Sequence, residues 1–111
     1  MTENRIKLNA LQSRTLALFQ ELAKNSETSS VIEDTGEISI MYLPQPHGNH
    51  VHIGNFVISS KEASGINNEI VWKALERKGL ARSEFPMRII LTVKGQKFET
   101  GFREKFEISD H

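Results

Sequence analysis

Residues 74–98 read ALERKGLARSEFPMRIILTVKGQKF, and they carry the clearest structural signal in the chain. The first five residues continue a helical pattern that stops at Gly79, where a glycine can take the left-handed conformation that ends many helices. The apolar Leu80 follows, and it can return to the core. The apolar, β-branched run MRIILTV (residues 87–93) is typical of a strand. This stretch therefore predicts a helix that ends at Gly79 and a strand soon after it.

The segment before this reversal has the composition of a short helix followed by a longer one. Ser59 or Ser60 can cap the first, which Gly65 interrupts. Asn67 can cap the second, and its apolar side chains share one broad face: Ile70, Val71, Ala74 and Leu75. We therefore expect two helical segments within residues 60–80.

Another amphipathic helix is predicted near the N-terminus, in LNALQSRTLALFQELAKN. Four side chains recur on one face at helical spacing: Leu11, Thr15, Leu18 and Leu22. Asn9 and Gln12 have the spacing of a capping box, in which each side chain bonds the backbone N–H of the other residue. We expect a helix over residues 10–24. Because Leu16 lies off the main apolar face, this helix should contact neighbours on two sides.

The residues between these helices have the pattern of a loop and a hairpin. Residues 25–36, NSETSSVIEDTG, are polar and acidic, which is typical of a mobile loop. The runs EISIMYL (residues 37–43) and HVHIGNFVI (residues 50–58) have the two-residue period of strands, and PQPHGN separates them. We therefore predict a β-hairpin over residues 37–58.

The C-terminal residues fit two structures. Phe98, Phe102 and Phe106 recur every four residues, which favours a helix. Gly95 weakens that helix, and a β-hairpin that turns at Lys94-Gly95 is the alternative.

Composition limits the function classes. The 111 residues fit one domain, and 14 basic residues balance 14 acidic ones. Residues 73–105 hold nine basic and four acidic residues, a net charge of +5, which can attract a polyanion. The absence of cysteine excludes disulfides and thiol chemistry, and no apolar run has the length of a membrane span. We expect a cytoplasmic protein with no membrane partner.

No motif in the sequence indicates catalysis. The serines do not occur in a Gly-x-Ser-x-Gly elbow, and no glycine-rich phosphate loop is present. We therefore expect no enzymatic activity and no cofactor.

Three phrases together resemble the winged-helix DNA-binding domains of small bacterial regulators. They are the helix LNALQSRTLALFQELA, the stretch ALERKGLARS with its Leu-x-x-Lys-Gly-Leu phrase, and LTVKGQKF with its Leu-Thr-x-x-Gly phrase. The resemblance implies one α+β, winged-helix-like domain over residues 1–111 with an inserted β-hairpin at residues 37–58. Residues 60–80 would form a helix-turn-helix-like unit, and residues 81–92 would form the wing.

The resemblance also implies a non-enzymatic regulator of transcription that binds double-stranded DNA. Asparagines at the start of a recognition helix can read adenine edges, and basic side chains can contact phosphates or guanine. The candidate nucleic-acid-binding residues are Asn67, Asn68, Lys73, Arg77, Arg82, Arg88 and Lys97.

Trp72 supports an alternative function. It is the only tryptophan, and the helical pattern places it beside the apolar face, where an exposed aromatic side chain can anchor a protein partner or self-association. The chain would then be a winged-helix scaffold for protein–protein interaction that does not bind nucleic acid. Burial of Trp72 under the wing or against the hairpin is the other interpretation of the same position.

Three of the four histidines lie within six residues, at His47, His50 and His52. Residues two apart on a strand point the same way, so His50 and His52 can share a metal ion, with His47 as a third ligand. The alternative is a polar hairpin tip without metal. A small metal-binding protein is thus the third hypothesis for function.

Overall fold

A computed structural model describes residues 6–41, 43–44, 48–53, 56–101 and 107–108. The helices are α1 (Ala10–Ala23), α2 (Glu69–Arg77) and α3 (Val93–Lys97), and a 3₁₀ turn (Ser64–Asn67) precedes α2. The strands are β1 (Ser29–Ile32), β2 (Glu37–Ile40), β3 (His50–Ile53), β4 (Phe56–Ser59), β5 (Ala81–Glu84), β6 (Arg88–Leu91) and β7 (Glu107–Ile108). The predicted α+β class is confirmed, in one compact domain.

The strands form two antiparallel sheets, with the orders β1-β2-β6-β5 and β3-β4-β7. The predicted hairpin over residues 37–58 is therefore wrong. Strand β2 pairs with β1 and β6, whereas β3 pairs with β4 in the other sheet. The two-residue period identified the strands correctly, but it contains no information about which strands pair.

The predicted mobile loop over residues 25–36 is also wrong, because it contains β1 and the turn into β2. Gly36 adopts a φ of 77° and donates its N–H to the Ile32 carbonyl at 2.8 Å, which closes the turn. Strand β1 lies at the edge of its sheet, and Val31 is 61% exposed. A short edge strand does not need an apolar pattern, so its polar residues resemble a loop.

Helix α1 forms the centre of the core. The predicted capping box is present, with the Gln12 N–H 2.7 Å from Asn9 Oδ1 and the Asn9 N–H 3.1 Å from Gln12 Oε1. The whole run of residues 15–22 is buried. Both sheets and the other helices contact α1, which confirms the expectation of neighbours on two sides.

The helical segment before Gly79 differs from its prediction in two ways. The first of the two expected helices is only the 3₁₀ turn, and Gly65 within it lies so close to α1 that a Cβ atom would overlap Thr15 Oγ1. The cap of α2 is Asn68 rather than Asn67, and its Oδ1 accepts the Ile70 N–H at 2.9 Å. The buried face of α2 contains Trp72. Ile70, which was expected in the core, is 77% exposed.

The chain reverses at Gly79, as the sequence predicts. Gly79 has a φ of 77°, and its N–H donates to the Glu76 carbonyl at 3.0 Å. The Leu80 N–H donates to the Leu75 carbonyl at 3.0 Å, which completes a Schellman motif. Leu80 is fully buried, and residues 81–91 continue as the β5–β6 hairpin.

Four residues then join the end of α2 to the start of α3: Gly79, Leu80, Thr92 and Gly95. We call them the α2–α3 joint. The Thr92 hydroxyl donates to the Gly79 carbonyl at 2.8 Å and accepts the Gly95 N–H at 3.0 Å, and the Thr92 N–H donates to the Leu80 carbonyl at 3.2 Å. A Cβ atom on Gly95 would overlap the Leu80 carbonyl oxygen. Glycine is needed at position 95 for this close approach.

The structure distinguishes between the helix and the hairpin predicted for the C-terminal segment, as far as residue 101. The hairpin predicted to turn at Lys94-Gly95 is wrong, because α3 occupies that position. The helix predicted from the phenylalanine spacing does not pass through Phe98, which has extended backbone angles. Phe102 and Phe106 lie outside the described residues.

The joint gives a stability prediction for Gly95→Ala. In an open helix this change stabilises the protein by up to about 1 kcal/mol. Here the methyl group would meet a backbone carbonyl that cannot move away, so we expect a loss of about 2 kcal/mol or more in the free energy of unfolding. Urea denaturation measures it.

Lys94→Ala is the matched control, because Lys94 is exposed in the same helix. We expect it to change the free energy of unfolding by no more than about 0.5 kcal/mol. A Gly95→Ala protein more stable than the wild type would contradict the close packing of the joint.

Candidate nucleic-acid interface

The two arginines predicted for the wing lie on the hairpin, but both are in ion pairs. Arg82 Nη2 lies 2.6 Å from Glu37 Oε1 on β2. Arg88 Nε lies 2.6 Å from Glu84 Oε1, and its Nη1 donates to Ser39 Oγ at 3.3 Å. A phosphate would have to compete with these carboxylates for the guanidinium groups.

The ion pairs lie on the face of the four-stranded sheet opposite the core. The register aligns Ser39, Ile90 and Arg82 across three neighbouring strands, on the face opposite the core residues Ile89 and Leu91. Ile90 is 1% exposed, although it is not part of the main core cluster. Arg82 and Arg88 therefore flank a buried apolar side chain and contribute to packing and to charge pairing at this face.

Both carboxylates in these pairs have altered acidity. The hydrogen bond from Arg82 is the largest influence on Glu37, and it holds the pKa of that carboxyl below its usual range. The hydrogen bond from Arg88 likewise lowers the pKa of Glu84. In turn, Glu37 raises the pKa of Arg82. The charged forms of these groups stabilise one another in the folded state.

The exposed face of α2 is electrically balanced. Lys73 Nζ lies 3.3 Å from Glu69 Oε2, one turn earlier in the helix. The other exposed side chains of α2 are Ile70, Glu76 and Arg77. Two acidic and two basic groups leave no net charge on this face, which gives it little attraction for a phosphate backbone.

The two candidate asparagines have different environments. Asn68 is the N-cap of α2, so its side-chain oxygen already accepts a hydrogen bond. Asn67 is exposed at the end of the 3₁₀ turn, where its amide can reach a ligand. Of the two residues predicted to read adenine, Asn67 is exposed, and Asn68 uses its side-chain oxygen in the helix cap.

Four basic residues lie close along the chain to the residues of the α2–α3 joint. Arg77 and Lys78 immediately precede Gly79, and the Thr92 hydroxyl bonds the Gly79 carbonyl. Lys94 follows Thr92 by two residues, and Lys97 lies three residues further along the outer side of α3. We call these four residues the cationic corner: Arg77, Lys78, Lys94 and Lys97. In the part of the chain that the structure describes, none of them forms an ion pair.

Sequence reasoning selected Arg77 and Lys97 from this corner but did not select Lys78 and Lys94. A signal in the sequence could have identified them. Lys78 and Lys94 each directly precede the glycine of a phrase that resembles winged-helix domains. What spacing did not reveal is that the two phrases meet in space. The Thr92 hydroxyl bonds the Gly79 carbonyl 13 residues away, and Gly95 packs against the Leu80 carbonyl.

Trp72 is not exposed, so its prediction as an interface residue is wrong. Its side chain is fully buried, and Nε1 donates to the Ile66 carbonyl at 2.7 Å. The indole meets Phe19 and Phe85 edge to face, with ring centroids 5.9 and 4.8 Å apart. Since Phe85 lies in the turn between β5 and β6, the alternative interpretation is correct: Trp72 is buried under the residues predicted as the wing, not against residues 37–58.

The histidines are partly described. His50 and His52 lie on β3, on the face opposite the buried Val51 and Ile53, and their ring centroids are 4.9 Å apart. His47 lies outside the described residues. Within the described part of the chain, no group of three metal-ligating side chains is close enough to hold a metal ion.

A cavity of about 230 Å³ lies between α1, β2 and α3, lined by Gln20, Ala23, Lys24, Ile38 and Gln96. Both glutamine side-chain amides donate hydrogen bonds to backbone carbonyls: Gln20 to Gly95 and Phe98, and Gln96 to Gly36 and Leu91. Lys24 pairs with Glu21 at 3.1 Å. The two glutamines thus hold α3 against the sheet and α1, and the Lys24 pair lies at the end of α1.

Comparisons with protein-family models, with curated proteins and with solved structures found no match to this chain. The helices in the described part of the chain are too short or too polar to cross a membrane.

The ion pair between Glu37 and Arg82 gives a pH prediction. Because the pKa of Glu37 is lowered on folding, the pair stabilises the protein above the ordinary carboxyl range, and this contribution is lost as pH falls through the lowered pKa. In Glu37→Gln, the free energy of unfolding should therefore fall less steeply with acidification than in the wild type. Urea denaturation at several pH values measures this slope.

Glu33→Gln is the control, because Glu33 is exposed in the β1–β2 turn and forms no ion pair with the described residues. We expect this variant to keep the wild-type pH profile. Identical acid profiles for Glu37→Gln and the wild type would show that the pair has no role in stability.

Proposed function

We propose that this chain is a non-enzymatic, winged-helix-like module that binds double-stranded DNA, in the manner of a small transcriptional regulator. The order of elements from α2 onward supports the proposal, because the two-stranded β5–β6 hairpin follows α2 directly; four strands, β1 to β4, lie between α1 and α2. The two sequence phrases that resemble winged-helix domains also contact each other. Residues 75–80 form the end of α2 and the turn after it, and Thr92 and Gly95 pack against that turn.

The cationic corner is the observation that carries the proposal. Ion pairs engage Lys73, Arg82 and Arg88, which makes them weak phosphate ligands. The corner comprises four other cations, from the end of α2, its C-cap and α3, which form no ion pair with the described residues. Phosphate neutralisation supplies most non-specific affinity for duplex DNA, so unpaired cations at one place are the physical requirement.

In this mechanism the corner binds the DNA backbone, and the hairpin arginines hold the sheet. The balanced face of α2 does not favour deep insertion into the major groove. Asn67, exposed before α2, is the residue best placed to contact a base edge. The proposed DNA contacts are therefore Asn67 and the cationic corner, and Asn68, Lys73, Arg82 and Arg88 have structural roles.

Salt-dependent binding to duplex DNA tests this proposal. Four phosphate contacts give a slope of about −3.6 for the logarithm of the association constant against the logarithm of salt concentration. The double variant Lys94→Gln/Lys97→Gln removes two contacts, so we expect the slope to change to about −1.8. Fluorescence anisotropy with a labelled duplex of mixed sequence measures both values.

Lys73→Gln is the matched control, since it removes a basic side chain that is paired with Glu69. It should keep the wild-type slope. Absence of DNA binding at low salt, or equal slopes for the double variant and the wild type, would contradict the proposal. A complete absence of binding would favour the protein-interaction scaffold, for which Ile70 rather than Trp72 is the exposed apolar side chain on α2.

A further inference from the structure

Strand β3 presents two imidazole rings on the outer face of the second sheet. Among the described residues it pairs with β4 alone at the edge of its sheet, and His50 and His52 face Ser59 and Val57 across the pair. Val51 and Ile53 alternate with them and are buried at 3% and 1% exposure. The alternation anchors β3 to the core on one face, and it fixes both histidines on the other face.

The two rings have the spacing that a shared metal ion requires. Their centroids are 4.9 Å apart, and their planes are nearly perpendicular at 84°. A tetrahedral metal bound at about 2.0–2.1 Å by two imidazole nitrogens places the ring centres about 5 Å apart. The strand thus holds the two rings at a distance that one ion can bridge once a nitrogen of each ring turns toward it.

We propose that His50 and His52 form a two-histidine chelate for a divalent late transition metal, in the class of Cu²⁺, Ni²⁺ and Zn²⁺. Imidazole ligands suit these ions, and the usual order of affinity favours Cu²⁺ among them. Two protein ligands leave the remaining coordination positions to water or to another ligand. His47 lies outside the described residues and is not part of the proposed site.

The site is independent of the proposed DNA function. It lies on β3 in the three-stranded sheet, whereas the cationic corner lies on α2 and α3. A metal titration without nucleic acid therefore tests the chelate alone, and its result does not depend on whether the chain binds DNA.

Calorimetric titration of the untagged full chain with Cu²⁺ and, separately, Ni²⁺ tests the proposal. We expect one ion per chain, and electron paramagnetic resonance of the Cu²⁺ complex should show two equatorial nitrogen ligands. His50→Ala and His52→Ala should each weaken binding by about a hundredfold, because a chelating pair becomes a single ligand. The double variant keeps neither ligand, so it should show no binding at this site.

His111→Ala is the matched control, because it removes a histidine from the end of the chain and should leave affinity unchanged. Wild-type affinity in either His50→Ala or His52→Ala would overturn the proposal. So would a stoichiometry of two ions that falls to one in each single variant without a change in affinity, since this would identify two independent imidazoles. Circular dichroism of each variant checks that the fold is retained.

Discussion

The Leu80 carbonyl oxygen is approached from two directions, and the arrangement of the second half of the chain depends on this. It accepts the Thr92 N–H, and the Gly95 backbone packs directly against it. The Thr92 hydroxyl adds a bond to the neighbouring Gly79 carbonyl. The end of α2, both ends of the β5–β6 hairpin and the start of α3 are therefore fixed at one point. Because the base of the hairpin is fixed there, Phe85 in its turn packs against Trp72.

Local signals in the sequence predicted local structure well. The capping box of α1 and the reversal at Gly79 each involve residues within five positions of one another, so their chemistry is visible in the sequence. Pairing between distant segments was not visible. Alternation identified β2, but its partners β1 and β6 depend on how the chain packs around α1. Helical spacing left the exact edge of the apolar face of α2 open, and packing in the fold buried Trp72 and left Ile70 exposed.

The sequence likewise could not predict which charged residues of the candidate site form ion pairs. A basic side chain contributes to DNA binding according to its partners, and the sequence gives only its position. Arg82 was a reasonable phosphate ligand until the fold brought Glu37 to it from 45 residues away. Lys94 had no distinguishing signal until Thr92 met Gly79. The histidine pair was predictable because its geometry comes from a single strand.

Native-state hydrogen exchange at the Thr92 amide tests the central role of the α2–α3 joint most directly. If the joint holds the hairpin and both helices together, this amide should exchange only through global unfolding, with the same opening free energy as the amides of Ile90 and Leu91 in the sheet. In Thr92→Val, which removes the hydroxyl bonds, all of these opening energies should decrease together. Exchange at Thr92 through a low-energy local opening, with the sheet amides still protected, would contradict the account.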